Sequence, residues 1–341
     1  MALLLFMTTF LQLLFLKCES TAPLAPALYV FGDSLSDSGN NNGLRTLARA
    51  DHEPYGVDFP SGATGRFTNG KTMVDFIAES LGLPFAPPYL STEDKSCFKA
   101  GVNYASGSAG ILPETGSALG ENVDFNKQIT YFQETSKDQD ELARSIFVVW
   151  IGSNDYLNNY LQPQSYNSSH QYNPIQFADR LTNTLRQGIE RLYELGARKF
   201  AVFNIARIGC IPATVALANQ RPPAPCVEDV NNLVLIFNTM LLPVIAELEN
   251  TLTGSTFVRG DVYGIGKTSQ ETGVSEAQSY CCQVDFTGMC AANLAPCENR
   301  SMHLFFDSFH PSEVASNRMA SECFDGYSSC MPMNIRQLAQ K

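Results

Sequence analysis

Three continuous apolar runs, residues 27–31, 146–151 and 199–205, constrain this chain more than any other feature of its sequence. Each is too short for a buried helix and lacks the polar–apolar alternation of a strand with one wet face. Runs of this kind suit strands covered on both faces. The first two end in glycine, Gly32 and Gly152. Two weaker candidates, residues 101–104 and 256–258, bring the count to five. Between them lie helical segments with clear punctuation. Asn173 can cap a helix with Pro174 at its first position, leucines follow at helical spacing, and Gly196 ends it. Further helices are expected over 70–81, over 228–252 with a kink at Pro243, and from Pro311 onward. Strands alternating with helices imply an α/β fold around a parallel sheet. Neither a repeat nor a linker interrupts the 341 residues, so residues 21–341 are expected to form one domain.

The N-terminal stretch is a separate matter. An apolar run, MALLLFMTTFLQLLFL, is followed by small residues at Cys18 and Ser20, the pattern of a cleavable signal peptide over residues 1–20. Export to the extracellular space, cell wall or vacuole is therefore expected. Asn167 and Asn299 lie in glycosylation sequons, in keeping with that route. The next most apolar stretch, 233–248, is interrupted by Asn238, Thr239, Pro243 and Glu247, so no stable membrane span is expected. Of ten cysteines, Cys18 leaves with the signal and nine remain. In an exported chain most should pair. Proximity suggests Cys210 with Cys226 and Cys323 with Cys330. Cys281, Cys282, Cys290 and Cys297 can hold two bridges of unspecified connectivity, and Cys97 is left over. A net charge of -11 disfavours nucleic acid as a partner.

Two segments carry candidate chemistry. The first strand delivers Ser34 to the carboxyl end of the sheet, where α/β proteins place their sites. Gly32 permits a tight turn there, and the residues after Ser34 are expected to open a helix whose terminus would favour a nucleophile. Near the other end of the chain, Asp307 precedes His310 by three residues. At that spacing Asp307 can accept a hydrogen bond from Nδ1, leaving Nε2 to take a proton from a serine. Asn154, after the strand 146–151, and Gly107, after 101–104, can each point an N–H at the same cavity. Gly65 to Thr72 spells a phosphate-binding loop, but the turn-rich 59–64 precedes it where a strand is required, so nucleotide is excluded as a ligand. The Gly264-Ile265-Gly266 triplet is expected to be a loop.

Taken in order, Gly32-Asp33-Ser34-Leu35-Ser36-Asp37-Ser38-Gly39, Thr64-Gly65-Arg66-Phe67-Thr68-Asn69-Gly70, Gly101-Val102-Asn103-Tyr104-Ala105-Ser106-Gly107 and Ile151-Gly152-Ser153-Asn154-Asp155 resemble the secreted plant branch of the GDSL esterase/lipase family, within the SGNH hydrolases. The resemblance implies a flavodoxin-like three-layer α/β/α fold and hydrolysis of small-molecule or lipid esters without a cofactor or metal. It implies Ser34 as nucleophile, His310 as acid–base and Asp307 as its partner. The oxyanion hole would use the Ser34 and Gly107 backbone N–H groups and the Asn154 side chain. An acyltransferase using the same triad, or a silent binding protein on the same fold, is the alternative. Three departures from the family pattern bear on pocket shape: Ser108 stands where a second glycine is usual, Phe306 where tryptophan is usual, and residues 204–210 lack the usual Gly-Pro-rich approach to Cys210.

Overall fold

The computed structural model describes residues 22–135, 138–218, 225–268 and 276–341. The expected signal segment, residues 1–20, lies outside them. Five parallel strands form the centre: β1 (Leu28–Gly32), β2 (Gly101–Asn103), β3 (Ile146–Trp150), β4 (Lys199–Phe203) and β5 (Thr256–Gly260). Their order is β2-β1-β3-β4-β5, and a two-residue strand β8 (Cys330–Met331) adds antiparallel to the β5 edge. β1, β3 and β4 are buried along their whole length, which is why their sequences read as unbroken apolar runs. β1 lies inside the sheet with a partner on each side, Leu28 pairing with both Gly101 and Ile146. A separate two-stranded parallel sheet joins β6 (Glu276–Tyr280) to β7 (His303–Phe305).

Alternation along each strand divides the core. Tyr29, Phe31, Phe147, Val149, Phe200 and Phe257 face one layer, built from α2 (Phe125–Glu134), α4 (Pro174–Glu194) and α6 (Glu228–Thr251). The short α3 (Gln139–Arg144) adds Leu142 to it, and a further short helix, α5 (Pro212–Ala218), lies between α4 and α6 in the chain. Leu28, Val30, Val148, Ala201 and Val258 face the other, built from α1 (Met73–Leu81), α8 (Glu313–Phe324) and α9 (Ile335–Ala339). The result is a three-layer α/β/α arrangement. Each fully buried Phe, Leu or Ile on these faces contributes about 1.5–3 kcal/mol.

The α4 boundaries match the sequence. Asn173 and Gln176 form a reciprocal capping box, Pro174 opens the helix, and Gly196 lies beyond it at φ +114°. The bridges also follow the expected pattern: Cys210–Cys226 and Cys323–Cys330, with the cluster resolved as Cys281–Cys297 and Cys282–Cys290, and Cys97 free and exposed. α6 is long and apolar enough to cross a membrane by length and composition, yet Val234, Phe237, Leu241 and Leu248 are buried in the core. Its Asn238 binds both backbone groups of Ile205, so the polar residue that interrupts the apolar run caps the end of β4.

Four expectations require correction. No α-helix follows β1: residues 33–37 make a single hydrogen-bonded turn, because Asp37 then turns inward to bind the backbone of Gly39 and Asn40. The helix expected from Gly70 begins at Met73, where Thr72 and Asp75 form its capping box. Pro311 is not the first residue of α8: Ser312 is the cap, its hydroxyl accepting the Ala315 N–H, and Glu313 leads the helix. The 264–266 triplet lies inside α7 (Val262–Thr268), started by Asp261 accepting the Gly264 N–H.

Candidate active site

Ser34 sits two residues past the end of β1, half-buried at the wall of a cavity of about 740 Å³. The cavity opens at the carboxyl ends of the parallel strands and is bordered by apolar side chains such as Leu35, Trp150, Ile208, Met289, Phe309 and Met319. The turn carrying Ser34 is held from below. Gln128 of α2 accepts the Gly32 N–H at 2.9 Å and donates to the Gly32 carbonyl at 2.8 Å. A side chain on Gly32 would strike the Trp150 carbonyl, so only glycine allows β1 and β3 to approach this closely.

Asp307 and His310 reach Ser34 from the segment between β7 and α8. His310 Nε2 is 2.8 Å from Ser34 Oγ, and Nδ1 is 2.7 Å from Asp307 Oδ2 and 2.9 Å from Oδ1. Asp307 Oδ1 also accepts the backbone N–H groups of Phe309 and His310, both at 2.8 Å. The three-residue spacing works because the chain closes a tight turn around the carboxylate. Asp307 is fully buried, while His310 keeps 6% of its surface. With Nδ1–H donating to Asp307, Nε2 is an acceptor and Ser34 must donate to it. This is the arrangement that lets a serine hydroxyl lose its proton as it attacks. Phe67 covers the imidazole, its ring centroid 5.0 Å away.

Asn154 lines the cavity on a single helical turn, Ser153–Asp155, just after β3. Its Nδ2 donates to the Ala109 carbonyl at 3.0 Å and its Oδ1 accepts from Asn158 at 2.7 Å. Both contacts fix the amide with one Nδ2 hydrogen to spare. Gly107 is different. Its N–H donates to Asp37 Oδ2 at 3.0 Å, and the residue does not line the cavity. The expected oxyanion donor is therefore turned into the protein. The next residue, Ser108, lines the cavity at φ +63°. Its N–H has no hydrogen-bond partner among the described residues, and the same holds for the Ser34 N–H.

Several buried polar groups that sequence reasoning left without a role build this geometry. Asp37 accepts from Gly39, Asn40 and Gly107. Asn40 donates to Asn103 and Ala105, and Asn41 to Ala48 and Gly107, tying the turn after β1 to the turn after β2. Asp155 accepts from Ile111, Leu112 and Thr115. Their only sequence signal was their number: Asp and Asn crowded beside strands expected to be buried. Burial pushes the Asp37 and Asp155 carboxyls up to about 6, against the opposing pull of those donors. Asp33 goes further, to about 7, because burial strips its water, one oxygen has only the Leu35 N–H, and the other has no partner among the described residues. Of the three departures from the family pattern, Ser108 and residues 206–208 and 210 border the cavity, whereas Phe306 packs beneath the site against Tyr55. Asn167 and Asn299 are exposed.

Known proteins resemble this chain over most of its length. Residues 28–323 match the GDSL-like Lipase/Acylhydrolase family. The chain is 40% identical over 338 residues to GDSL esterase/lipase At1g29660 of Arabidopsis thaliana, covering 93% of this chain and 92% of that protein. It is 41% identical over 340 residues to GDSL esterase/lipase 7 of the same plant, covering 93% of each. Matches over most of the chain, to the family and to plant members of it, lead to one assignment: the chain belongs to the GDSL lipase/acylhydrolase family.

Proposed function

We propose that this protein is an exported serine esterase that cleaves carboxylic esters through an acyl-enzyme on Ser34. The observation that carries the reading is the 2.8 Å contact between His310 Nε2 and Ser34 Oγ, backed by a buried Asp307 and placed at the wall of a largely apolar cavity. In the first step Ser34 Oγ attacks the ester carbonyl while His310 takes its proton. His310 then returns that proton to the departing alcohol oxygen. Water attacks the acyl-enzyme in the second step, giving its proton to His310, which passes it to Ser34 Oγ as the Ser34–acyl bond breaks and the carboxylic acid leaves. Asp307 holds the imidazole in the tautomer this requires and stabilises it when charged.

The negative oxygen formed in each step needs donors in place beforehand. Ser34 N–H and the spare hydrogen on Asn154 Nδ2 supply two. The free Ser108 N–H supplies the third, in place of the Gly107 N–H that Asp37 occupies. A cavity of about 740 Å³ with mainly hydrocarbon walls suits a substrate with a sizeable acyl chain. Export is supported by the apolar N-terminal run and by four disulfides, which persist in oxidising compartments.

Ser34→Ala tests the reading. The variant should keep its far-ultraviolet circular dichroism and lose both ester turnover and labelling by a fluorophosphonate probe. Turnover and labelling that survive in Ser34→Ala would end it. A series of p-nitrophenyl esters of increasing acyl length, run with and without an added alcohol, then ranks substrates and shows whether water or alcohol resolves the acyl-enzyme.

A further inference from the structure

Tyr55 is 252 residues away from Asp307 in the chain, yet its hydroxyl lies 2.6 Å from Asp307 Oδ2. The same oxygen faces His310 Nδ1 at 2.7 Å. Tyr55 is fully buried, its ring edge-on to Phe306 and to Phe67, the ring that covers His310. Among the described residues its hydroxyl has one other partner, the Cys290 backbone N–H at 3.0 Å. An N–H can only donate, so it occupies the phenol oxygen as acceptor and the phenol proton must point to Asp307. The direction of this bond thus follows from the heavy atoms alone. Burial, then the charge of Asp307, push the Tyr55 phenol well above its usual range, so it remains a donor wherever the enzyme is folded.

The Cys282–Cys290 bridge anchors the far end of the relay. The loop it closes is pinned by the Asp285 N–H to the Met289 carbonyl, and its Gly288 carbonyl accepts the Ser308 N–H, one residue from Asp307. Cys290 N–H, Tyr55, Asp307, His310 and Ser34 therefore form one continuous line of hydrogen bonds.

We propose that Tyr55 is a positioning residue for the esterase reaction: it fixes the plane of the Asp307 carboxylate and withdraws part of its negative charge from His310. The proposal rests on the reading of Ser34, His310 and Asp307 given above. Without the phenol, Asp307 Oδ2 keeps only His310 Nδ1 as a partner, while the Phe309 and His310 N–H groups still hold Oδ1. The undivided charge of Asp307 would then hold a proton on His310 more tightly, and a protonated His310 cannot accept from Ser34. The other charged or titratable groups facing this pair are Asp33 after β1, Asp285 in the bridged loop, His52 beside the Tyr55 ring and Arg318 at the cavity wall. None of them changes when only the Tyr55 hydroxyl is removed.

The test is a pH–rate profile of Tyr55→Phe against the wild type, on a p-nitrophenyl ester. We expect kcat to fall about tenfold or more, the size associated with losing a hydrogen bond to a charged group, with KM little changed. The acid limb of the profile should move to higher pH. A purely structural role would reduce the active fraction, tracked by probe-labelling stoichiometry, and leave that limb in place. A second protein carries 3-fluorotyrosine at position 55, which keeps the hydroxyl and strengthens it as a donor. Its acid limb should move to lower pH, the opposite direction. An acid limb unmoved in both proteins overturns the proposal. If Ser34→Ala is inactive in the same assay, that failure belongs to Tyr55 alone. If Ser34→Ala is active, the esterase reading itself has failed.

Discussion

At the scale of single residues, the site depends on which backbone and side-chain donors remain free. Asn154 is the clearest case. Its carbonyl is held by Asn158 and half its amide by Ala109, so the amide is fixed in advance with one N–H left over. Preorganisation of this kind is what makes a donor effective toward charge that exists only in the transition state. Asn154→Ala should therefore lower kcat by roughly 100-fold, about 3 kcal/mol of barrier, with a much smaller change in KM. Steady-state kinetics check this, alongside a thermal unfolding midpoint to register the two structural bonds also lost. An effect on KM alone would remove Asn154 from the oxyanion role.

At the scale of elements, the segment from Thr64 to α1 shows how a motif can be structural. Arg66 makes two 2.8 Å bonds to Asp75 and a further bond to Thr64, with its guanidinium 4.4 Å from the Phe59 ring centroid. Asp75 in turn accepts from the backbone and hydroxyl of Thr72, closing the cap of α1. Lys71, the lysine of the phosphate-loop spelling, donates to Glu79 instead. Both members of the Arg66–Asp75 pair are almost wholly buried. Removing one leaves an uncompensated charge inside the protein, which is far more costly than losing an exposed pair. Arg66→Ala should destabilise the fold by about 3–5 kcal/mol in denaturant titrations. A loss under 1 kcal/mol would mean that the pair is no more than a surface contact.

At the scale of the whole molecule, three buried carboxyls titrate well above their ordinary range: Asp33 at about 7, Asp37 and Asp155 at about 6, each chiefly because burial disfavours the charged form. In the unfolded chain these groups lose their protons near pH 4. Between about pH 4 and 7 the native state therefore binds more protons than the unfolded state, and stability falls as pH rises. The net charge of -11 adds self-repulsion in the same direction. Asp58 and Asp325 work the other way. They are held low by Arg300 and Arg336, and stability from these more exposed pairs is lost only as the pH falls toward and below the ordinary carboxylate range. The thermal midpoint should thus be higher near pH 5 than near pH 7.5, and Asp33→Asn should flatten the upper part of that slope. A wild-type midpoint that rises steadily to pH 7.5 would contradict this account.

The sequence alone determined the layers. Unbroken apolar strands can only be covered on both faces, and the punctuation around α4 left little choice of boundary. It also determined the ends of the site, because Ser34 follows a strand it could not escape and Asp307 and His310 are close enough in the chain to meet without help. What it could not convey is which way a loop backbone faces. Gly107 and Ser108 are adjacent, yet the inward carboxylate of Asp37, fixed from another turn, holds the Gly107 N–H while Ser108 lines the cavity. The absent helix after β1 has the same cause. Tyr55 carried no signal at all: a tyrosine in a polar loop resembles any other until folding sets it beneath Asp307. Periodicity records burial one residue at a time, whereas the identity of a hydrogen-bond partner depends on segments hundreds of residues apart, and only the tertiary structure brings those together.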